Sequence, residues 1–156
     1  ADTATPLLAY GASVVAVSRE GEREIPLDEF FVFVRKTSLR PGEIVTAVRV
    51  PAIPSANGVF TKISRRREVD LSTLCATVLK TGEGWRVAYG SVAPTPIRLR
   101  QTEALLDARP LTEERIARAV ELARSEISPI SDVRASQEYR LEVAGVVLER
   151  SLRALM

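Results

Sequence analysis

Four cations fall within six residues of FTKISRRREVDLS (Phe60–Ser72): Lys62, Arg65, Arg66 and Arg67, followed by the acids Glu68 and Asp70. Such a density of positive charge can grip an anion through charge-assisted hydrogen bonds, with a nearby acid to orient the cation or balance it. Three chemistries are open: a nucleic-acid groove, the wall of a site for an anionic small molecule, or a solvated strand end. Read as a strand, Phe60, Lys62, Ser64 and Arg66 point one way, and Thr61, Ile63 and Arg65 the other. Only one arginine then shares the face of Lys62. A nucleic-acid groove wants a broader basic field interleaved with stacking aromatics, and aromatics make up only 5% of the chain. On these residues alone a solvated strand end leads and the anion wall comes second.

The rest of the sequence narrows the chemistry mainly by what it lacks. There is no histidine, so a serine–histidine triad, an HExxH zinc site and imidazole base catalysis are excluded. The single cysteine, Cys75, excludes an internal disulfide or a cysteine-rich metal site. It sits in the apolar run LSTLCATVL with no base beside it, and a buried core thiol is expected. The acid pairs Glu20/Glu22 and Glu113/Glu114 fall at a turn and a helix start, where solvated carboxylates are normal. The Arg-rich segment IARAVELARSEI reads as a solvated helix face. None of the glycines forms GxGxxG or GxxxxGK[ST], so no phosphate-cradling loop is recognisable. No catalytic or metal-ligating residue is assigned. A net charge of +2, from 22 bases and 20 acids, argues against a polycationic nucleic-acid binder. No apolar run is long enough to span a bilayer and no signal peptide is visible. A soluble, reducing, cytoplasmic setting is expected.

The elements that must position these residues read as an α+β chain. Residues 2–10 predict a short helix capped by Asp2 or Thr3, with Leu7 and Leu8 inward. SVVAVS (Ser13–Ser18) reads as a buried strand, Arg23–Pro26 as a second, Leu27–Phe31 as one helical turn and Ile44–Val50 as a third strand. Residues 51–58 hold two prolines and an Asn-Gly pair, and are read as a linker between a unit over 1–50 and another over 59–156. In the second unit, strands are expected at Val59–Arg66, Ser72–Lys80 and Trp85–Val92, with Trp85, Val87 and Tyr89 on one face. Three helices follow. The first begins at Thr95 and Pro96. The second, capped by Thr112, carries the stripe Ile116, Ala119, Val120, Ala123 and Ile127. The third starts near Ser136 and buries Tyr139, Val143, Val147 and Leu152.

Five stretches in this order carry a resemblance: ADTATPLLAYGA, FFVFVRKTSLRPGEIVTAVRVP, FTKISRRREVDLS, AYGSVAPTPIRLRQTEALL and SDVRASQEYRLEVAGVVLERSL. Together they resemble the C-terminal part of the FAD-binding (medium) subunit of molybdenum hydroxylases, the family of xanthine dehydrogenase, aerobic carbon monoxide dehydrogenase and related aldehyde and heterocycle dehydrogenases. The resemblance implies the tail of an FAD-binding (PCMH-type) domain, followed by a three-stranded antiparallel sheet packed with three helices. It implies FAD as cofactor, its phosphates held by an N-terminal glycine-rich portion that is absent here. Four cofactor-binding roles follow from the matched positions. Asp2 would contact the ribose–ribityl part, and Leu39 would lie against the flavin ring. Lys62 would stand beside the ring, where a cation stabilises the anionic reduced flavin, and Asp70 would flank the flavin edge, near an incoming NAD. Arg35 leans towards the xanthine dehydrogenase branch and SVAPTPIR towards the carbon monoxide dehydrogenase branch, so no substrate is assigned. In such a complex the molybdopterin and 2Fe-2S centres sit on partner subunits, and electrons pass through FAD to NAD or another acceptor. The alternative is a non-catalytic interaction module that packs against the iron–sulfur subunit and completes the flavin pocket. This chain alone is expected to be inactive on either reading.

Overall fold

Short apolar stretches separated by turn residues set the architecture of the computed structural model, which describes residues 2–66, 69–108 and 110–156. Helix α1 (Ala4–Tyr10) buries Ala4, Thr5, Leu8 and Ala9 and ends at Gly11, whose φ of 69° closes the last turn. Leu8 is turned inward as expected, while Leu7 is only half-buried. Neither Asp2 nor Thr3 caps the helix with its side chain. The Asp2 carboxylate is instead engaged by Ser72 and Lys62, far along the chain. Strand β1 (Ser13–Ser18) and strand β2 (Gly21–Pro26) form a tight hairpin, then α2 (Leu27–Phe30) makes a single turn.

A two-stranded ribbon that the sequence pattern does not announce follows, β3 (Phe31–Phe33) with β4 (Lys36–Thr37). At its tip Arg35 adopts φ 57°, the left-handed conformation that two-residue hairpin loops demand. Strand β5 (Ile44–Arg49) pairs with the free edge of β1, giving the order β2-β1-β5. All six β5 residues are exposed. Ile44, Val45 and Val48 are thus apolar side chains left in solvent on an edge strand.

The second sheet contains β6 (Asn57–Ile63), β7 (Leu74–Lys80), β8 (Trp85–Gly90) and β9 (Ile97–Arg98), antiparallel in that order. Strand β6 starts inside the stretch read as a linker, so Asn57 and Gly58 pair with Lys80 and Leu79 rather than connecting units. The strand also ends at Ile63, before the arginines. Three helices cover one face: α3 (Arg100–Asp107), α4 (Glu113–Glu126) and α5 (Gln137–Ala154).

Strand β7 is buried without interruption from Leu74 to Leu79, and its two alternating faces meet different partners. Leu74, Ala76 and Val78 join Trp85, Val87 and Tyr89 against the helices. On the opposite face, Leu79 and Ala88 pack with Leu8, Ala9 and Val14, and Thr77 Oγ1 donates to Thr5 Oγ1 at 3.0 Å. A strand covered on both faces has no polar side to show. Helix α1, placed by sequence in the first unit, is therefore part of the wall of the second sheet.

Two expectations about the helices change. Thr95 and Pro96 do not start a helix. Ile97 and Arg98 extend the sheet as its short fourth strand, pairing with Tyr89 and Ala88, and α3 begins at Arg100. Its N-terminus is satisfied from a distance: the Glu126 carboxylate accepts from Gln101 N at 2.9 Å, Thr102 N at 2.7 Å and Thr102 Oγ1 at 2.6 Å. The expected stripe of α4 is buried, and Thr112 caps it by accepting from Arg115 N. In α5 Val147 and Leu152 are buried, but Tyr139 is 49% exposed and Arg140, its neighbour, is 4% exposed. The buried face is rotated because Arg140 finds carbonyl partners inside. Gly145 lets α4 and α5 approach closely, since a Cβ there would fall 2.9 Å from Val120 Cγ1.

Candidate functional site: the Asp2–Lys62 cluster and its cavity

Lys62 stands near the end of β6, opposite Cys75 of β7, on the side where α1 begins. Beyond Ile63 the chain leaves the sheet and returns at Thr73, whose N–H donates to Ile63 O at 2.8 Å. This closes a loop at the sheet's end. The Lys62 ammonium donates to Asp70 O at 2.7 Å and pairs with Asp2 Oδ2 at 2.8 Å. Ser72 Oγ donates to the other Asp2 oxygen, Oδ1, at 2.5 Å. The Lys62 ammonium and the Ser72 hydroxyl together hold the Asp2 carboxyl below the usual carboxylate range. Lys62 keeps 28% of its side chain exposed, so the ammonium is fixed without being sealed.

Asp70 serves the cluster through its backbone. Burial would raise its carboxyl pKa, but the N–H groups of Arg66 and Leu71 outweigh that and lower it. Its side chain accepts from Arg66 N at 3.1 Å and Leu71 N at 2.9 Å, holding the loop in shape. Arg65 and Arg66 are exposed, and Arg67 and Glu68 lie outside the described residues. Leu39 packs half-buried against the cluster of Leu8, Ala12 and Val14. The structure thus brings Asp2, Lys62 and Asp70 together and leaves Leu39 outside their hydrogen-bonded group.

Ser72 also lines a cavity of about 550 Å³ beside the cluster, walled by Phe33, Val34, Leu71 and Ile130, with Asp132 and Arg140 among its polar residues. Arg140 donates to Thr73 O at 2.5 Å, Ser91 O at 2.9 Å and Asp132 Oδ1 at 2.7 Å. It ties the start of α5 to the ends of β7 and β8. The N–H groups of Arg134 and Ala135 and the Arg140 guanidinium hold Asp132 down at a pKa of about 2. Sequence reading assigned no role to Ser72, Asp132 or Arg140. The one available signal was a charged residue, Arg140, beside the apolar positions of an amphipathic helix.

Among the described residues no group of three or more His, Cys, Asp or Glu is placed to hold a metal ion. Nor is any of their helices long and apolar enough to cross a membrane. Cys75 is buried, and burial pushes its thiol up, as expected of a core cysteine.

Residues 60–155 match the CO dehydrogenase flavoprotein C-terminal domain, and residues 1–53 match the FAD binding domain in molybdopterin dehydrogenase. The chain belongs to the CO dehydrogenase flavoprotein family. Over 150 residues it is 33% identical to the xanthine dehydrogenase FAD-binding subunit of Escherichia coli O157:H7, covering 92% of this chain and 51% of that one. It is 31% identical over 147 residues to the carbon monoxide dehydrogenase medium chain of Afipia carboxidovorans, covering 91% of this chain and 51% of the other. A solved carbon monoxide dehydrogenase from Hydrogenophaga pseudoflava superposes with a TM-score of 0.89 at 29% identity, covering 97% of this chain and 54% of that one. This flavoprotein chain spans about half the length of the curated relatives it matches. The expected family and α+β fold class are borne out, with the short β9 added to the three long strands.

Proposed function

We propose that this chain is the C-terminal part of an FAD-binding subunit of a molybdenum hydroxylase, carrying electrons from iron–sulfur clusters on one partner subunit to NAD or another acceptor. The hydroxylation itself would occur at a molybdopterin centre on a second partner subunit. The observation that carries this reading is the Asp2–Lys62–Asp70 cluster, which draws one member from the FAD-domain match and two from the flavoprotein C-terminal match.

The residues fit the polar edge of a flavin. A fixed, partly open ammonium is joined through Asp2 to Ser72, which lines a cavity of about 550 Å³, within the size range of cofactor pockets. FAD, when bound, supplies the capacity to accept and release electrons. Lys62 stabilises negative charge placed beside it, in a setting where water is partly excluded. Asp2 and the Asp70 carbonyl fix the ammonium in advance, so little reorganisation is needed when charge arrives. Leu39 completes the proposed set as an apolar contact for the ring. The cavity offers an approach for the acceptor, bordered by Leu71 and Ser72. The chain has no glycine-rich loop for a pyrophosphate, so the phosphates fall to an N-terminal companion half. The lone thiol fits a reducing, cytoplasmic setting.

A second reading, an interaction module, has its own observation. Ile44, Val45 and Val48 on β5 and Val32, Phe33 and Val34 on the ribbon are exposed apolar side chains, more than a free edge strand ordinarily shows. The two readings are compatible if the companion half of the flavin domain covers that surface.

Lys62→Met in the whole flavin subunit is expected to weaken FAD binding about tenfold or more, the cost of one charge-assisted hydrogen bond, and to shift the flavin potential downward. Equilibrium titration and spectroelectrochemistry measure both. An affinity and potential equal to those of the parent protein would remove Lys62 from the site.

A further inference from the structure

We propose that Ser72 is a positioning residue that sets how much negative charge Asp2 presents beside Lys62, and so tunes the cofactor edge. The proposal rests on the reading that Lys62 lies beside the flavin. Its basis is the division of one carboxylate between two donors: Ser72 Oγ on Oδ1 at 2.5 Å and Lys62 Nζ on Oδ2 at 2.8 Å. A hydroxyl donating to one oxygen withdraws negative charge from the whole carboxylate and fixes which oxygen faces the ammonium.

Ser72 is suited to this because the backbone of Ser72 and Thr73 together is held by three contacts. Its carbonyl accepts from Ser91 Oγ at 3.3 Å. The next residue, Thr73, donates to Ile63 O at 2.8 Å and accepts from Arg140 at 2.5 Å. The hydroxyl is therefore presented from a frame made by the ends of β6, β7 and β8 and the start of α5. None of these backbone contacts uses the Ser72 side chain, so its removal leaves the frame in place.

The test uses Ser72→Ala, Ser72→Thr and Asp2→Asn. In the 156-residue chain, NMR titration of the Asp2 carboxyl carbon is expected to show an upward displacement in Ser72→Ala and none in Ser72→Thr. In the assembled flavin subunit, Ser72→Ala is expected to lower the flavin midpoint potential, because the unshared carboxylate is more negative. Asp2→Asn is expected to raise it, and Ser72→Thr to hold it at the parent value. An Asp2 titration unchanged in Ser72→Ala overturns the proposal. If Asp2 responds and neither potential moves, the local positioning stands, but the tuning of the cofactor and the placement of Lys62 beside the flavin both fall.

Discussion

Glu103→Ala is expected to destabilise the fold by about 3–5 kcal/mol, the usual cost of removing one partner from a buried ion pair. The Glu103 carboxylate is 7% exposed and meets Arg98, itself 13% exposed, with Nε and the terminal nitrogen each 2.8 Å from a carboxylate oxygen. One of those oxygens also accepts from Val87 N at 2.8 Å. Alanine would leave the largely buried Arg98 guanidinium and an N–H of the central strand β8 without their shared acceptor. For a chain of this size, about 2–4 °C of melting temperature per kcal/mol implies a fall on the order of 10 °C. Glu103→Gln keeps an acceptor for Val87 N and should lie between. Thermal unfolding followed by circular dichroism decides: an alanine variant melting within about 2 °C of the parent would mean that the pair is not buried as described.

Arg140→Met should cost a similar amount, about 3–5 kcal/mol, since a buried guanidinium and its carbonyl partners form one unit. Methionine fills much of the volume but leaves the Thr73 and Ser91 carbonyls without their donor and releases Asp132. A pH signature accompanies the loss. The Asp132 pKa is depressed in the folded state to about 2, so its contribution is present above the ordinary carboxylate value. It is lost as pH falls from about 4 through 2. In Arg140→Met that acid limb should be shallower, because one of the groups holding Asp132 down is gone. Urea unfolding at a series of pH values measures both effects. An unchanged acid limb would show that Arg140 does not hold Asp132.

Much of the fold was legible because it depends on local periodicity. The strand at Ser13–Ser18, most of the strand expected at Trp85–Val92, the α4 stripe, the cap Thr112 and the start of α5 near Ser136 all follow from neighbours along the chain. What was not legible depends on partners far away in sequence. The start of α3 is fixed by Glu126, which no local pattern reveals, and Ile97–Arg98 became a strand because Glu103 ties Arg98 to β8. Of the expected buried face of α5, Val147 and Leu152 hold, but at its first turn the buried residue is Arg140 and not Tyr139, because the guanidinium pairs with carbonyls at the ends of distant strands. The site shows the same division. Family resemblance brought out Asp2, Lys62 and Asp70, which meet in space. It did not bring out Ser72, whose hydroxyl matters only once the chain is folded. Nor did it show that Asp70 serves Lys62 through its carbonyl.

The central claim is that the Asp2–Lys62 cluster belongs to a flavin site completed by an N-terminal half carrying the phosphate loops. FAD titration, followed by quenching of flavin fluorescence, tests it on the 156-residue chain and on the same chain extended by that half. No saturable binding by the chain alone is expected up to about 0.1 mM, with binding at least about a hundredfold tighter in the extended protein. Micromolar binding by the chain alone, or none by the extended protein, would contradict it.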